Sequence, residues 1–188
     1  VARQIQVDDP LDDDTFMGPM VNEDQVEKFR EYNQIARDEG ANVLVDREEL
    51  NDEEIPDGFE DGYWVGPFAY EIDYSTDKRC LQEEVFGPHV ALLRYDGDIE
   101  RGVEIHNDTD YGLTGAIISE DRRQINYFRD YAEVGLAYAN IPCIGAEVQL
   151  PFGGIKKSGN GYPSAREIIE VVTERTAWTV NNGEDIQL

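Results

Sequence analysis

The 188-residue sequence has few of the residues that bind metals or cross-link chains. Its two cysteines, Cys80 and Cys143, give neither a disulfide framework nor a metal-binding spacing. Its two histidines, His89 and His106, are too few and too far apart in sequence for a metal site. We therefore expect no bound metal and a reducing, cytoplasmic environment.

Long apolar runs are also missing. No segment approaches the roughly 20 consecutive apolar residues that a membrane helix requires. The first residues, Val1 to Val7, contain neither the apolar core of a secretory signal nor an initiator methionine. The sequence thus predicts no membrane insertion, and its start is typical of a chain entered part-way through a longer protein.

Positive charge is scarce. The chain has 16 basic and 41 acidic residues, a net charge of −25, and such a charge repels both nucleic acids and anionic membranes. It favours either disorder or a halophilic protein, whose self-repulsion is screened because the Debye length shrinks to about 3 Å in ~1 M salt. The apolar residues, 40% of the chain, are regularly patterned, which favours the halophilic interpretation. Only four of the basic residues are lysines: Lys28, Lys78, Lys156 and Lys157.

Apolar periodicity predicts helices and strands that alternate along the chain. The first helix starts after Asn22, which with Gln25 resembles a capping box, and stops at Gly40. Alternation of this kind predicts an α/β fold, a parallel sheet built of βαβ units with right-handed crossovers. The predicted strands are 41–45, 63–72, 90–95, 113–119, 134–141 and 176–180, and further helices are 98–107, 121–131 and one that opens at Ser164.

Two short segments carry the most specific signal. Residues 83–88 read E-E-V-F-G-P, and residues 151–161 read P-F-G-G-I-K-K-S-G-N-G. The glycines alone indicate only a sharp turn or a close backbone approach. No G-x-S-x-G elbow, Walker loop or G-x-G-x-x-G after a strand is present.

These segments resemble motifs of the aldehyde dehydrogenase family. Residues 106–113 are similar to the family's N-x-T-x-Y-G-L segment, and Gly18-Pro19 with the capped helix is similar to the start of its C-terminal region. The four features occur in the family's order and extend the resemblance from about Val7 to Val180. On this basis residues 1–175 resemble the C-terminal part of the catalytic domain, and residues 176–188 a terminal strand and tail of the oligomerisation type.

The resemblance implies a role in binding NAD or NADP for four residues. Glu84 is similar to the acid that accepts the nicotinamide ribose hydroxyls, and Phe86 to the aromatic residue beside the nicotinamide. Gln25 and Lys28 lie one helical turn apart and are similar to residues that reach ribose hydroxyls. The alternative for Glu84 is an acid in a solvated loop, and the alternative for Phe86 is a core phenylalanine. The alternative for Gln25 and Lys28 is an ordinary solvated helix face.

On the substrate side, the resemblance implies that Phe152 lines the aldehyde tunnel. Cys143 lies in the variable loop before it, where it either lines the tunnel or is a buried small hydrophobe. Cys80 is interpreted as structural. One departure is Pro163, which stands where the family often has the glutamate of G-R-E, a possible proton relay; Glu167 comes one helical turn too late to replace it.

The function implied is oxidation of aldehydes to carboxylic acids, and loop 140–147 is more similar to those of semialdehyde dehydrogenases. The resemblance places the nucleophilic cysteine, the general-base glutamate and the Rossmann domain upstream of Val1. We therefore assign no catalytic residue and expect the chain alone to be inactive. The alternative is a non-catalytic relative that acts as a binding or assembly module. A related acyl or glutamyl-phosphate reductase is disfavoured by the E-E-V-F-G-P and P-F-G-G segments.

The same resemblance indicates the partners. The family's C-terminal tail pairs with a β-arm of another subunit. Strand 176–180 would otherwise be an exposed edge, open to pairing. The expected partners are an aldehyde substrate and either the rest of the enzyme or a second copy bound through this strand.

Overall fold

A computed structural model describes residues 1–164 and 167–183. The chain divides into two compact units, Val1–Thr109 and Asp110–Leu188. Both mix helices with strands, in agreement with the predicted α/β class. None of the helices in the described ranges is long and apolar enough to cross a membrane.

The first unit contains a three-stranded sheet. Its central strand β2 (Phe68–Glu71) pairs antiparallel with β1 (Asn42–Asp46) and parallel with β3 (His89–Leu92). Three helices complete the unit: α1 (Glu23–Asp38), α2 (Arg79–Gln82) and α3 (Ile99–Asn107). Two short 3-10 helices, Ala2–Gln4 and Asp52–Glu54, lie in its loops.

Helix α1 forms as predicted because both ends are specified locally. The Asn22 side chain accepts a hydrogen bond of 3.0 Å from Gln25 N, and Gly40 adopts a φ of 93° just beyond the last turn. The helix buries one face: Val26, Phe29, Tyr32, Asn33 and Ala36.

The core of the first unit lies between α1 and the sheet. Phe29, Val65, Phe68 and Tyr70 are almost fully buried, and Cys80 joins them, as expected of a structural cysteine.

Strand β3 departs from its prediction. It pairs in parallel as predicted, but it ends at Leu92 rather than at residue 95, and only one of its faces packs on the core. Val90 and Leu92 are therefore half-exposed. The predicted strand 63–72 shortens to β2 because Pro67 has no N–H to contribute to the ladder.

The second unit contains one complete βαβ element. Strand β5 (Thr114–Ile117) runs parallel to β6 (Leu136–Ala139), and helix α4 (Arg122–Tyr131) connects them. Strand β4 (Tyr111–Gly112) pairs antiparallel with β7 (Ile155–Lys156). The strand predicted over 113–119 is confirmed as β5, which is shorter than predicted at both ends, whereas the short strand β4 was not predicted.

The C-terminal region differs most from the prediction. Helix α5 covers Ile168–Val172, whereas the predicted opening at Ser164 is followed by residues 165 and 166, which lie outside the described residues. Residues 176–180 form no strand, since no other described segment pairs with them, and Trp178 is 83% exposed. The pairing of this segment with a partner stays a prediction. The last part of the predicted tail, 184–188, also lies outside the described residues.

Candidate cofactor and substrate site

The E-E-V-F-G-P segment connects α2 to β3, and its two glutamates have different hydrogen-bonding surroundings. Glu83 accepts hydrogen bonds from Arg79 Nε, at 2.7 Å, and from the Tyr32 hydroxyl. Glu84 is exposed, and within the described residues its carboxylate makes no hydrogen bond or ion pair. The carboxylate that the resemblance assigns to the ribose is therefore the one left free.

Hydrogen bonds fix the ionisation of this pair. The bond from Arg79, followed by that from Tyr32, lowers the pKa of Glu83 to about 2. Burial, followed by the bond to Glu83, raises the pKa of the Tyr32 hydroxyl. Glu83 is thus a carboxylate at any neutral pH, and Tyr32 keeps its proton to donate.

Helix α1 brings the other two predicted cofactor residues to the same region. Gln25 and Lys28 line an open groove along α1 together with Tyr32. Lys28 Nζ lies 5.6 Å from the centroid of the Tyr32 ring, and its charge helps to lower the pKa of Glu83. Gln25 Oε1 is buried and has no hydrogen-bond partner among the described residues.

The residues present fit a nicotinamide dinucleotide. A ribose hydroxyl donates to an acceptor, and this unit offers the free Glu84 carboxylate, with Lys28 as a donor. Phe86 is 63% exposed, so the interpretation of Phe86 as a core residue is wrong. Its ring is open to contact by a ligand.

The substrate-side residues lie in the second unit. Phe152 is 41% exposed and precedes β7, and Cys143 is exposed in an irregular segment after β6. The alternative of Cys143 as a buried hydrophobe is therefore wrong. A cavity of about 260 Å³ beside β6 is lined by Tyr138, Leu150 and Pro151 among others, but by neither Cys143 nor Phe152. The assignment of both residues to an aldehyde tunnel stays a prediction.

The backbone of the P-F-G-G segment turns back so that Gly154 lies close to Ser158. A Cβ on Gly154 would lie 2.4 Å from the Ser158 carbonyl oxygen, so only glycine allows this approach. Ser158 Oγ accepts a hydrogen bond of 3.0 Å from Gly112 N, and Lys157 Nζ lies 2.6 Å from Asp110 Oδ2. Gly154 and this lysine thus have a structural role, which the glycine pattern alone left open.

No described residue forms a nucleophile with a base. Burial raises the pKa of the Cys80 thiol to about 11, which opposes thiolate formation. No group of His, Cys, Asp or Glu among the described residues is arranged to hold a metal ion.

Sequence reasoning missed Arg79, Tyr32 and Glu83 as a unit. The Arg79–Glu83 spacing of four residues could have indicated an ion pair on one helical turn. The contact between Arg79 and Tyr32 spans 47 residues and left no local signal.

Residues 1–178 match the sequence profile of the aldehyde dehydrogenase family. The chain belongs to this family. Its sheet-and-helix units and the free glutamate of its E-E-V-F-G-P segment agree with that membership.

Particular relatives are similar over most of the chain. The chain is 38% identical to 1-pyrroline-5-carboxylate dehydrogenase of Geobacillus sp. (strain WCH70) over 85% of its length and 29% of the relative's. It is 37% identical to alpha-ketoglutarate semialdehyde dehydrogenase of Haloferax volcanii, over 78% of its length and 29% of the relative's. It thus spans under a third of the length of these relatives.

A solved structure of betaine aldehyde dehydrogenase from Staphylococcus aureus in complex with NAD+ is similar in fold. It has a TM-score of 0.79 and 29% sequence identity, and the match covers 90% of this chain and 32% of that chain.

Proposed function

We propose that the protein to which this chain belongs is an NAD(P)-dependent dehydrogenase that oxidises aldehydes to carboxylic acids. The observation that carries the proposal is the free Glu84 carboxylate beside the fully occupied Glu83, in a chain that belongs to the aldehyde dehydrogenase family. The nicotinamide group, when bound, accepts hydride from the aldehyde carbon. Everything else assigned to this chain is binding and orientation.

Each predicted residue has a defined task in this proposal. Glu84 and Gln25 accept hydrogen bonds from ribose hydroxyls, and Lys28 donates to the same sugars or to the adjacent phosphates. Phe86 packs beside the nicotinamide. Phe152 and Cys143 line the aldehyde tunnel.

The nucleophile is proposed to come from outside this chain. Cys80 is buried with a raised pKa, and Cys143 is exposed with no described base beside it. Covalent catalysis needs a thiolate with its base in place. We therefore expect the 188-residue chain to have no dehydrogenase activity by itself.

The substrate class is proposed to be a semialdehyde. The support is the similarity of loop 140–147 to those of semialdehyde dehydrogenases and the relatives named for such substrates in Haloferax volcanii and Bacillus subtilis. Carboxylated semialdehydes are therefore the first substrates to test.

The test uses the whole protein, assayed in molar KCl with NAD+ and NADP+ against carboxylated semialdehydes and simple aldehydes. Reduced nicotinamide should appear with the semialdehydes. Glu84→Gln, which keeps the side-chain shape, should raise the KM for the cofactor roughly tenfold through the loss of a charged acceptor. Glu100→Gln, at an exposed acid on α3, is the matched control and should leave the KM unchanged. A folded whole protein that oxidises no aldehyde would rule out the proposal.

A second candidate is a non-catalytic binding or assembly module. The observation that favours it is the inert Cys80 together with Pro163 at the relay position. The same experiment separates the two, because a module of this kind binds the cofactor without reducing it.

A further inference from the structure

We propose that Arg79, together with Tyr32 and Glu83, forms a clamp that positions Glu84 to accept the cofactor's ribose hydroxyls. The inference rests on the proposed function, because it concerns the same ribose contact. Arg79 touches no cofactor in this scheme. It acts through Glu83 and is a positioning residue.

The clamp occupies both oxygens of Glu83. Arg79 Nε donates to Glu83 Oε1 at 2.7 Å, and Arg79 Nη2 donates to Oε2 at 3.3 Å. Arg79 Nη2 also lies 3.1 Å from the Tyr32 hydroxyl oxygen, and that hydroxyl donates to Glu83 Oε2. Three groups from α1, α2 and the loop after α2 therefore close one ring of hydrogen bonds.

The start of α2 is itself held in place. Lys78, the residue before α2, supplies no side-chain cap, and the Glu39 carboxylate takes that role from the end of α1. It accepts hydrogen bonds from Arg79 N at 2.8 Å and from Cys80 N at 3.1 Å. The guanidinium is thus attached to a helix that α1 fixes from one side while the core fixes Cys80 from the other.

Electrostatics explain why the clamp matters for the neighbouring glutamate. Two adjacent carboxylates repel one another, and a guanidinium on Glu83 neutralises one of them. Two cations lie near the Tyr32 ring: Arg79 Cζ is 5.4 Å and Lys28 Nζ is 5.6 Å from its centroid. Arg79 Nη2 also lies 4.0 Å from Glu31 Oε1, but the hydrogen bonds of the guanidinium go to Glu83 and Tyr32.

The clamp gives two identical side chains different tasks. Hydrogen bonds hold the Glu83 carboxylate in place and Arg79 compensates its negative charge. This fixes the backbone conformation of the loop after α2. Glu84, the next residue, keeps its charge and both acceptor oxygens available. Loss of the clamp should leave Glu84 present but poorly aimed, since a group that is not preorganised loses part of its binding energy.

The test is a double-mutant cycle on the whole protein, with the Kd for NAD+ measured by isothermal titration calorimetry. Arg79→Gln should raise the Kd roughly two- to tenfold, the range of a lost hydrogen bond. In the Glu84→Gln background the same change should have almost no further effect, because there is no carboxylate left to aim. Arg79→Lys should recover part of the affinity, and Tyr32→Phe, which removes one hydroxyl, should lie between wild type and Arg79→Gln.

Arg123→Gln is the matched control, because Arg123 is an exposed arginine that pairs with Asp121 at 3.0 Å and lies outside the clamp. It should leave the Kd unchanged. An unchanged Kd in Arg79→Gln would overturn the proposal of a clamp. The proposed function would still stand in that case, provided that the wild-type protein binds NAD+. Equal losses in both backgrounds would also overturn the clamp, since they indicate a general structural role. If Arg79→Gln does not fold, Tyr32→Phe carries the cycle. A wild-type protein that binds no NAD(P) would reject the proposed function itself.

Discussion

At the scale of single residues, His89 is held in its neutral form. Its Nε2 lies 2.9 Å from the Tyr70 hydroxyl and its Nδ1 lies 3.0 Å from Asn33 Oδ1. In this arrangement Nδ1–H donates to Asn33 and Nε2 accepts from Tyr70. Burial lowers the pKa of His89 from 6.5 to about 4. The imidazole thus joins α1, β2 and β3 without carrying a charge.

This burial makes the stability of the fold depend on pH. The unfolded chain takes up a proton near pH 6.5 and the folded chain only near 4, so the contribution is complete above 6.5 and is lost as the pH falls towards 4. We expect a loss of about 2 kcal/mol of unfolding free energy between about pH 7 and about pH 5 from this group. Urea unfolding of wild type and His89→Gln at both pH values measures it. An identical pH-dependent loss in the variant would contradict the prediction.

At the scale of elements, helices α1, α3 and α4 were predictable because their N-terminal ends are specified locally, whereas α2, which Glu39 caps, was not predicted. Asn22, Asp98 and Asp121 each cap a helix by accepting from a backbone N–H two or three residues on, and the sequence shows such caps directly. Strands depend on a partner that local sequence does not name. The predicted strand 113–119 is therefore confirmed only in its middle, as β5, and the short strand β4 was missed, while residues 176–180 have no partner among the described residues.

In the candidate site, too, some residues could be predicted from the sequence and others could not. Glu84, Phe86 and the α1 residues Gln25 and Lys28 could be assigned from motifs, because motif order is a property of the sequence. The Arg79 clamp could not, since its contact to Tyr32 joins residues 47 positions apart. The placement of Phe152 and Cys143 relative to a substrate also depends on more than local pattern.

The glycine-rich turn before β7 supports a test at this scale. Gly154→Ala would place a Cβ 2.4 Å from the Ser158 carbonyl oxygen, and backbone must move to relieve that clash. We expect a loss of about 1–3 kcal/mol of unfolding free energy, as for other overpacked sites. Gly161→Ala is the control in the same motif, because its Cβ would meet no atom within 4 Å. Chemical unfolding of both variants compares them, and equal stabilities would refute the argument.

At the scale of the whole molecule, negative charge sets the conditions for folding. The ion pairs among the described residues are mostly exposed, such as Arg101–Glu104 and Arg129–Asp130, and exposed pairs contribute little. They leave a net charge of −25 to be screened by salt. The proposed halophilic character rests on this balance.

The corresponding prediction is a salt-dependent fold. The thermal unfolding midpoint should rise as KCl increases from millimolar to molar concentration, because screening removes self-repulsion. NaCl at the same ionic strength should raise it by a similar amount, because screening depends on ionic strength. An unfolding midpoint that does not change with KCl would count against halophilic character.

Association is the second property of the whole molecule. Trp178 and Val180 are exposed in the tail, and we propose that residues 176–180 pair with a second copy or with the rest of the enzyme. Deletion of all residues after Arg175 should convert a dimer to a monomer in light-scattering measurements of mass. Deletion after Val180, which keeps the pairing segment, is the control and should leave the dimer. A dimer that survives both deletions would reject the assignment.

The Glu39 carboxylate also has a consequence for the order in which the chain folds. A helix as short as α2 does not persist alone in water, because nucleation costs more than one turn of hydrogen bonds returns. Its cap lies 40 residues earlier in the chain. Helix α2 therefore becomes stable only after α1 has docked and the segment between them, which contains β1 and β2, has brought Glu39 and Arg79 together. We expect it to form late in refolding. Amide protons of α2 should accordingly gain protection from hydrogen exchange after those of α1.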